Sequence, residues 1–254
     1  MTHPRRIPIA RIAASILLAA FASACARRPL LLEAIRARGG PLHAFVREVE
    51  TEVHVEFPGL WRLRIAYLLP DHYAWTVFTA GEPDSYLFDG TTQRAFVGTR
   101  AVSTEPGSVA PLRSHARLAA VTNLDALLLP GVQVTALPPD AVPPDAVSGL
   151  TAVFADDGSR YLLAFDARGL LVHAEGPLSL PPLGSGTVTV RFADFRRARR
   201  WRLPFRADYG FAGRPLATER TLSVCPDDPA VTSDAFRTPN ALAACTAGRA
   251  ALGG

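Results

Sequence analysis

The chain has 254 residues, 48% of them hydrophobic, which is enough to bury the core of one large domain or at most two small ones and excludes a chain disordered by composition. Its formal charge is +4 and every basic residue is arginine. Three of those arginines sit in the first 24 residues, which hold no acid, so loss of that leader leaves about +1 and removes most of the electrostatic motive for a nucleic-acid partner.

The leader has the order of a secretory signal: a basic start, the apolar run "IAASILLAAFASA" from Ile12 to Ala24, then small residues. As a helix, these thirteen residues cover about 20 Å, short of the roughly 30 Å hydrocarbon core, so removal is expected rather than a retained span. The pair Arg5-Arg6 lacks the hydrophobic pair of a twin-arginine signal. "ASAC", residues 22 to 25, resembles a bacterial lipobox, in which cleavage before Cys25 leaves a diacylated first residue, although Ala22 stands where leucine is usual. The alternative is an ordinary A-x-A cleavage site at Ala22-Ser23-Ala24. Cys225 and Cys245 are the two other cysteines, an even pair that an exported protein can close as a disulfide. Lipidation of Cys25 accounts for the odd thiol, which favours the lipoprotein reading.

After Cys25, Leu31, Leu32 and Ile35 at helical spacing, stopped by Gly39-Gly40, predict a short amphipathic helix. From Phe45 the period becomes two: Phe45, Val49, Val53, Val55 and Phe57 fall on one side, and Glu48, Glu50, Glu52, His54 and Glu56 on the other. That is a half-buried strand. Pro58-Gly59 turns the chain into a second strand in which Trp61, Leu63, Ile65, Tyr67 and Leu69 alternate with Arg62, Arg64 and Ala66. "HYAWTVFTA", "SYLFDG" and "TQRAFVG" continue the pattern, with Asp89-Gly90 as a hairpin signal.

Leu118, Val121, Leu124 and Leu128 then predict a helix within residues 109 to 129, ended by Pro130-Gly131. The tandem "PPDAVPPDAV" from Pro138 reads as a stiff surface loop. Strands resume with turns at Asp157-Gly158 and Arg168-Gly169, a long hairpin carries Val188, Val190 and Phe192 against Trp201, Leu203 and Phe205, and "LATERTLSVC" closes the regular part. The expected fold class is mainly β with helices (α+β): an open or curved antiparallel sheet with a helix in its concavity.

No metal motif links the five histidines that follow the leader, so no metal is expected. No nucleophile elbow, Walker loop or dinucleotide fingerprint is present either, and no cofactor or catalytic residue is assigned. Asp156-Asp157 and Asp227-Asp228 sit beside Gly or Pro and read as turns. In "FRRARRWRLPFR", Arg196, Arg197 and Arg200 are candidate contacts for anionic headgroups, weighed against a solvated hairpin tip. The aromatic residues Trp61, Tyr67, Tyr73, Trp75, Phe88 and Phe96 lie on adjacent predicted strands, and as a set they are candidates to line a cavity for an acyl chain.

"YLLPDHYAWTVF" leading into "SYLFDGTTQRAFVG", a leucine-rich helix, and "VTVRFADFRR" with "RLPFRADY", "TERTLSVC" and "SDAFRTP" at the end resemble the LolA/LolB-like superfamily of periplasmic lipoprotein carriers and outer-membrane lipoprotein receptors. The resemblance spans most of residues 30 to 240. It implies an unclosed antiparallel half-barrel, with helices covering the concave face and an apolar cavity that receives acyl chains. Ala74 stands where the carriers commonly have arginine, and "TAGEPDSY" lacks the leucine-tipped loop of the receptors.

The organisation expected is a signal peptide over 1-24, a lipidated Cys25 with linker and short helix over 25-40, a half-barrel over 41-225, and a Pro/Ala-rich tail over 226-254 tied by Cys225 and Cys245. The function expected is that of a non-catalytic, lipid-anchored protein of the Gram-negative outer membrane, facing the periplasm and binding lipid or an acylated ligand. A scaffold lipoprotein with a protein partner in the envelope is the alternative. An unrecognised hydrolase ranks third.

Overall fold

The computed structural model describes residues 28–55, 58–104, 109–181 and 183–239. Cys25, Phe57 and Cys245 lie outside them. The helix α1 spans Arg28–Arg38 and stops where Gly39 and Gly40 take positive φ. It buries Leu31, Ala34 and Ile35, while Leu32 is turned outward.

The period-two segments form thirteen strands of one antiparallel sheet. β1 (Ala44–Val53), β2 (Gly59–Leu68), β3 (His72–Phe78), β4 (Asp84–Asp89), β5 (Gln93–Val97) and β6 (Arg100–Val102) make one meander. β7 (Val132–Ala136), β8 (Ser148–Phe154), β9 (Arg160–Phe165), β10 (Leu171–Leu180), β11 (Gly184–Ala198), β12 (Trp201–Phe211) and β13 (Arg214–Pro226) make the second. The meanders join where β1 pairs with β13, and the order runs from β6 at one edge to β7 at the other. The edges do not pair, so the sheet is an open half-barrel. The tandem proline segment carries a single short 3-10 turn at Pro139–Ala141 on the outside of the strands.

The link between the two free edges is α2, Val109–Thr122, which crosses the concavity and touches β10 on one side and β2, β3 and β4 on the other. The leucine spacing predicts a longer helix, reaching toward residue 129. The structure ends it at Thr122 because Leu124 adopts a left-handed φ of 64°, after which Asp125–Leu128 form a 3-10 turn. The main core lies between α1, α2 and the second meander, with Phe154, Tyr161, Leu163 and Phe165 at its centre.

The convex face is covered as well, over one stretch. Val46, Ala66, Ala74 and Leu87 stand directly across from one another on β1 to β4, making a shallow bed of mostly small side chains. Val231, Ala235 and Phe236 of the segment after β13 pack onto that bed, so the start of the alanine-rich tail is part of the folded body.

Candidate functional site

The strands curl around α2 without filling the space beneath it, and a cavity of about 630 Å³ remains between sheet and helix. That volume falls within the usual range of small-molecule sites. Leu63, Ile65 and Val77 line it from the first meander, Val190, Phe192 and Leu203 from the second, and His115, Leu118 and Ala119 from α2. Trp61 also lines it and is 37% exposed, which marks the rim.

Of the six aromatics singled out from sequence, Trp61, Tyr73 and Trp75 face this cavity. Tyr67 lies on the same face but deeper, packed under Ala120 and Ala126 with its hydroxyl donating to the Pro70 carbonyl at 3.1 Å. Phe88 is fully buried in the packed cluster with Val49, Tyr73 and Leu112. Phe96 is corrected to the opposite face. It pairs across from Ser85 and packs against the cluster that carries Leu87, because Tyr86 and Phe88 take the inner positions of β4.

Polar residues that the sequence reading does not single out stand among the apolar walls. Arg47 on β1 forms an ion pair with Glu219 on β13 at 2.7 Å, and both line the cavity. Burial is the strongest single influence and opposes the charge of Arg47, but Glu219, Tyr209 and Tyr73 together outweigh it and the guanidinium pKa is pushed up. Burial also pushes the Glu219 carboxyl up, an effect Arg47 only partly offsets. Thr51 is paired directly across from Glu219, and its hydroxyl has no partner. The signal for both residues was present: Arg47 and Thr51 fall in the same odd-numbered register as Phe45, Val49 and Val53.

On α2, His115 stacks on Tyr73 and meets Trp75 edge-on. Its Nδ1 lies 2.8 Å from the Pro111 carbonyl oxygen, which can only accept, so Nδ1 carries the proton of the neutral ring and Nε2 is left as an acceptor. Burial lowers its pKa. The unfolded chain therefore binds a proton, below its ordinary value of about 6.5, that the folded chain resists. Stability is expected to fall as pH drops below that value, by up to about 1.4 kcal/mol per pH unit for this group. His115→Phe should flatten the acid side of a plot of urea midpoint against pH.

The arginine-rich hairpin tip is largely engaged in contacts of its own. Arg196 pairs with Asp194 at 2.7 Å and stacks over Phe205, Arg197 donates to the Arg199 carbonyl, and Arg200 lies over Trp201 and 3.9 Å from Asp227. Asp156 and Asp157 sit in the turn after β8, where both approach Arg117, and Asp227 accepts from the backbone of His43 and Ala44. Among the described residues no cluster of His, Cys, Asp and Glu could hold a metal ion. Cys225 is buried.

An open antiparallel half-barrel with an apolar cavity beneath a crossing helix defines the class of this protein. Its fold is the LolA/LolB-like one. The chain is similar to a LolA superfamily protein from Nitrosomonas europaea, with 12% identity over 83% of this chain and 96% of the other and a TM-score of 0.50. It is also similar to a DUF1329 family protein from Desulfovibrio piger, with 10% identity over 85% of this chain and 98% of the other and a TM-score of 0.53. No protein-family model matches the chain, and no curated protein sequence is similar to it.

Proposed function

We propose that this protein is a lipid-anchored envelope protein of a Gram-negative bacterium that shelters an acyl chain in its half-barrel and passes it on or holds it without chemistry. The observation that carries the reading is the cavity of about 630 Å³, walled by apolar side chains from both meanders and from α2. An acyl chain entering it gains about 0.8 kcal/mol per CH₂ removed from water. A cavity of this size also counts against the alternative, a scaffold whose barrel is packed solid.

The anchor is diacylated Cys25, and the residues after it, Ala26 and Arg27, are not the aspartate that retains some lipoproteins at the inner membrane, which supports the outer membrane. Cys225 with Cys245 closes a loop in the tail, and Arg196, Arg197 and Arg200 lie at an exposed tip where anionic headgroups are in reach. Mass spectrometry of the full-length protein extracted from membranes, first denatured and then native, tests these points together. A diacylglycerol adduct on Cys25 plus a non-covalently held lipid is the expected result. An unmodified terminus with no bound lipid would overturn the reading.

Within the cavity, Trp75→Ala is expected to weaken retention of an acyl ligand about tenfold, the worth of roughly 1.4 kcal/mol of lost contact. Tyr67→Phe removes a hydroxyl bonded to Pro70 outside the cavity, so it should cost about 1 kcal/mol of stability and leave retention unchanged. Measured side by side, the two variants separate the wall of the cavity from the core beneath it.

A further inference from the structure

The walls of the cavity are not uniformly apolar, and three of its polar residues, Arg47, Thr51 and Glu219, meet at one level near its rim. Thr51 stands directly between Trp61, the rim residue on β2, and Glu219 on β13. Arg47 enters the same level from two inner positions deeper on β1, across from Ile65, to meet Glu219 at 2.7 Å. Below that level the wall is mainly apolar, with Leu63, Ile65 and Leu118 beside the rings of Trp75 and His115. An amphiphile seated tail-down therefore places the first polar group of its chain beside Thr51.

Two features at that level specify the group. The Thr51 hydroxyl and the Arg47 Nε–H are both buried without a hydrogen-bond partner, and a buried polar atom in that state is destabilising until something bonds it. A hydroxyl, ester or amide can satisfy both. A carboxylate fits the second feature poorly, because Arg47 is already neutralised by Glu219 and a second anion would stand against the Glu219 carboxylate. The pair is also surrounded by two tyrosines, Tyr73 and Tyr209, rather than by further cations.

We infer that the cavity selects amphiphiles whose polar group nearest the acyl chain is uncharged, a hydroxyl, ester or amide, and discriminates against free fatty acids. The inference rests on the acyl-binding reading above and specifies its ligand class.

The test uses monopalmitin and palmitate, which share one chain, titrated below their micellar concentrations into the full-length protein at pH 8 and followed by tryptophan fluorescence and native mass spectrometry. Monopalmitin is expected to bind about tenfold more tightly, the worth of one or two hydrogen bonds. Thr51→Val, which removes the hydroxyl and keeps the shape, should erase most of that preference by weakening monopalmitin while leaving palmitate unchanged. Thr51→Ser should keep it. Equal or tighter binding of palmitate to the unaltered protein overturns the inference, and needs no variant to do so. A Thr51→Val protein that folds by circular dichroism but keeps the full preference overturns it as well. If neither probe binds, the acyl-binding reading itself falls.

Discussion

Asp125→Ala is expected to lower the folding free energy by about 3–5 kcal/mol, read from urea unfolding, because it strands a buried guanidinium. The last residue of α1, Arg38, turns inward and donates to Asp125 at 2.7 Å, to the Asn123 side chain and to the Gly40 carbonyl at 3.1 Å, and to the Asn123 backbone carbonyl. The Asp125 carboxylate also accepts from the Leu42 backbone at 2.8 Å, and the Asn123 amide donates to the Leu42 carbonyl. The side chains of Arg38 and Asp125 are 8% and 5% exposed, so water cannot replace a lost partner. Burial already pulls the Arg38 pKa down, and Asp125 is the main group resisting it. The knot ties the end of α1 to the end of α2. Its loss should therefore loosen the helical cover before it disturbs the sheet. Pairing Arg38→Met with Asp125→Leu removes both charges and should recover much of the loss; no recovery would mean that the hydrogen bonds to Leu42 and Asn123 carry the effect.

Phe236→Ala is expected to cost about 3–5 kcal/mol as well, by a different route. The ring is fully buried, edge-on to His72 at 5.3 Å, against the outer bed of Val46, Ala66, Ala74 and Leu87. Cavity costs are highest where neighbours cannot collapse, and alanines on paired strands have no side chain to move inward. Thermal or urea unfolding checks the magnitude. A loss under about 1 kcal/mol would mean that the segment after β13, a strap over the outer face, is a loose cover and that the bed is tolerant of water.

The strands were legible in the sequence because a half-buried sheet writes its faces at period two, and Phe45, Val49 and Val53 carry that signal plainly. The cavity was legible in part, since period two assigns a face and says nothing of depth along it. Trp61, Trp75 and Tyr67 all share the inner face, yet Tyr67 lies beyond the cavity, under α2. Phe96 was misplaced for a related reason: β5 is short, and its phase is set by pairing with Ser85 rather than by its own alternation. Arg47 and Thr51 escaped notice because a polar residue in an apolar register reads as noise until its partner, Glu219, is brought across the seam from β13. The end of α2 was hidden by Leu124, which keeps the hydrophobic period while its backbone turns left-handed to serve the Arg38 knot. The strap was hidden by its composition, which resembles a tail, although Ala66 and Ala74 on the outer face were the sign that something covers them.

Every strand pairing in this sheet joins neighbours in sequence except one. Phe45 meets Pro226 and Val53 meets Ala217, so the seam at the middle of the half-barrel closes most of the chain into a loop. Each meander can form from hairpins alone, which are fast and local, whereas this pairing bears the entropy of closing the long intervening chain. The expected order of events is that two half-sheets arise separately and that zipping β1 to β13 is the slow step that joins them. Arg47 and Glu219 come together in that same step, so the polar level of the cavity does not exist until the protein is otherwise assembled. A chain halted before it would present two sheets with unpaired central edges, the form most exposed to mispairing with another copy.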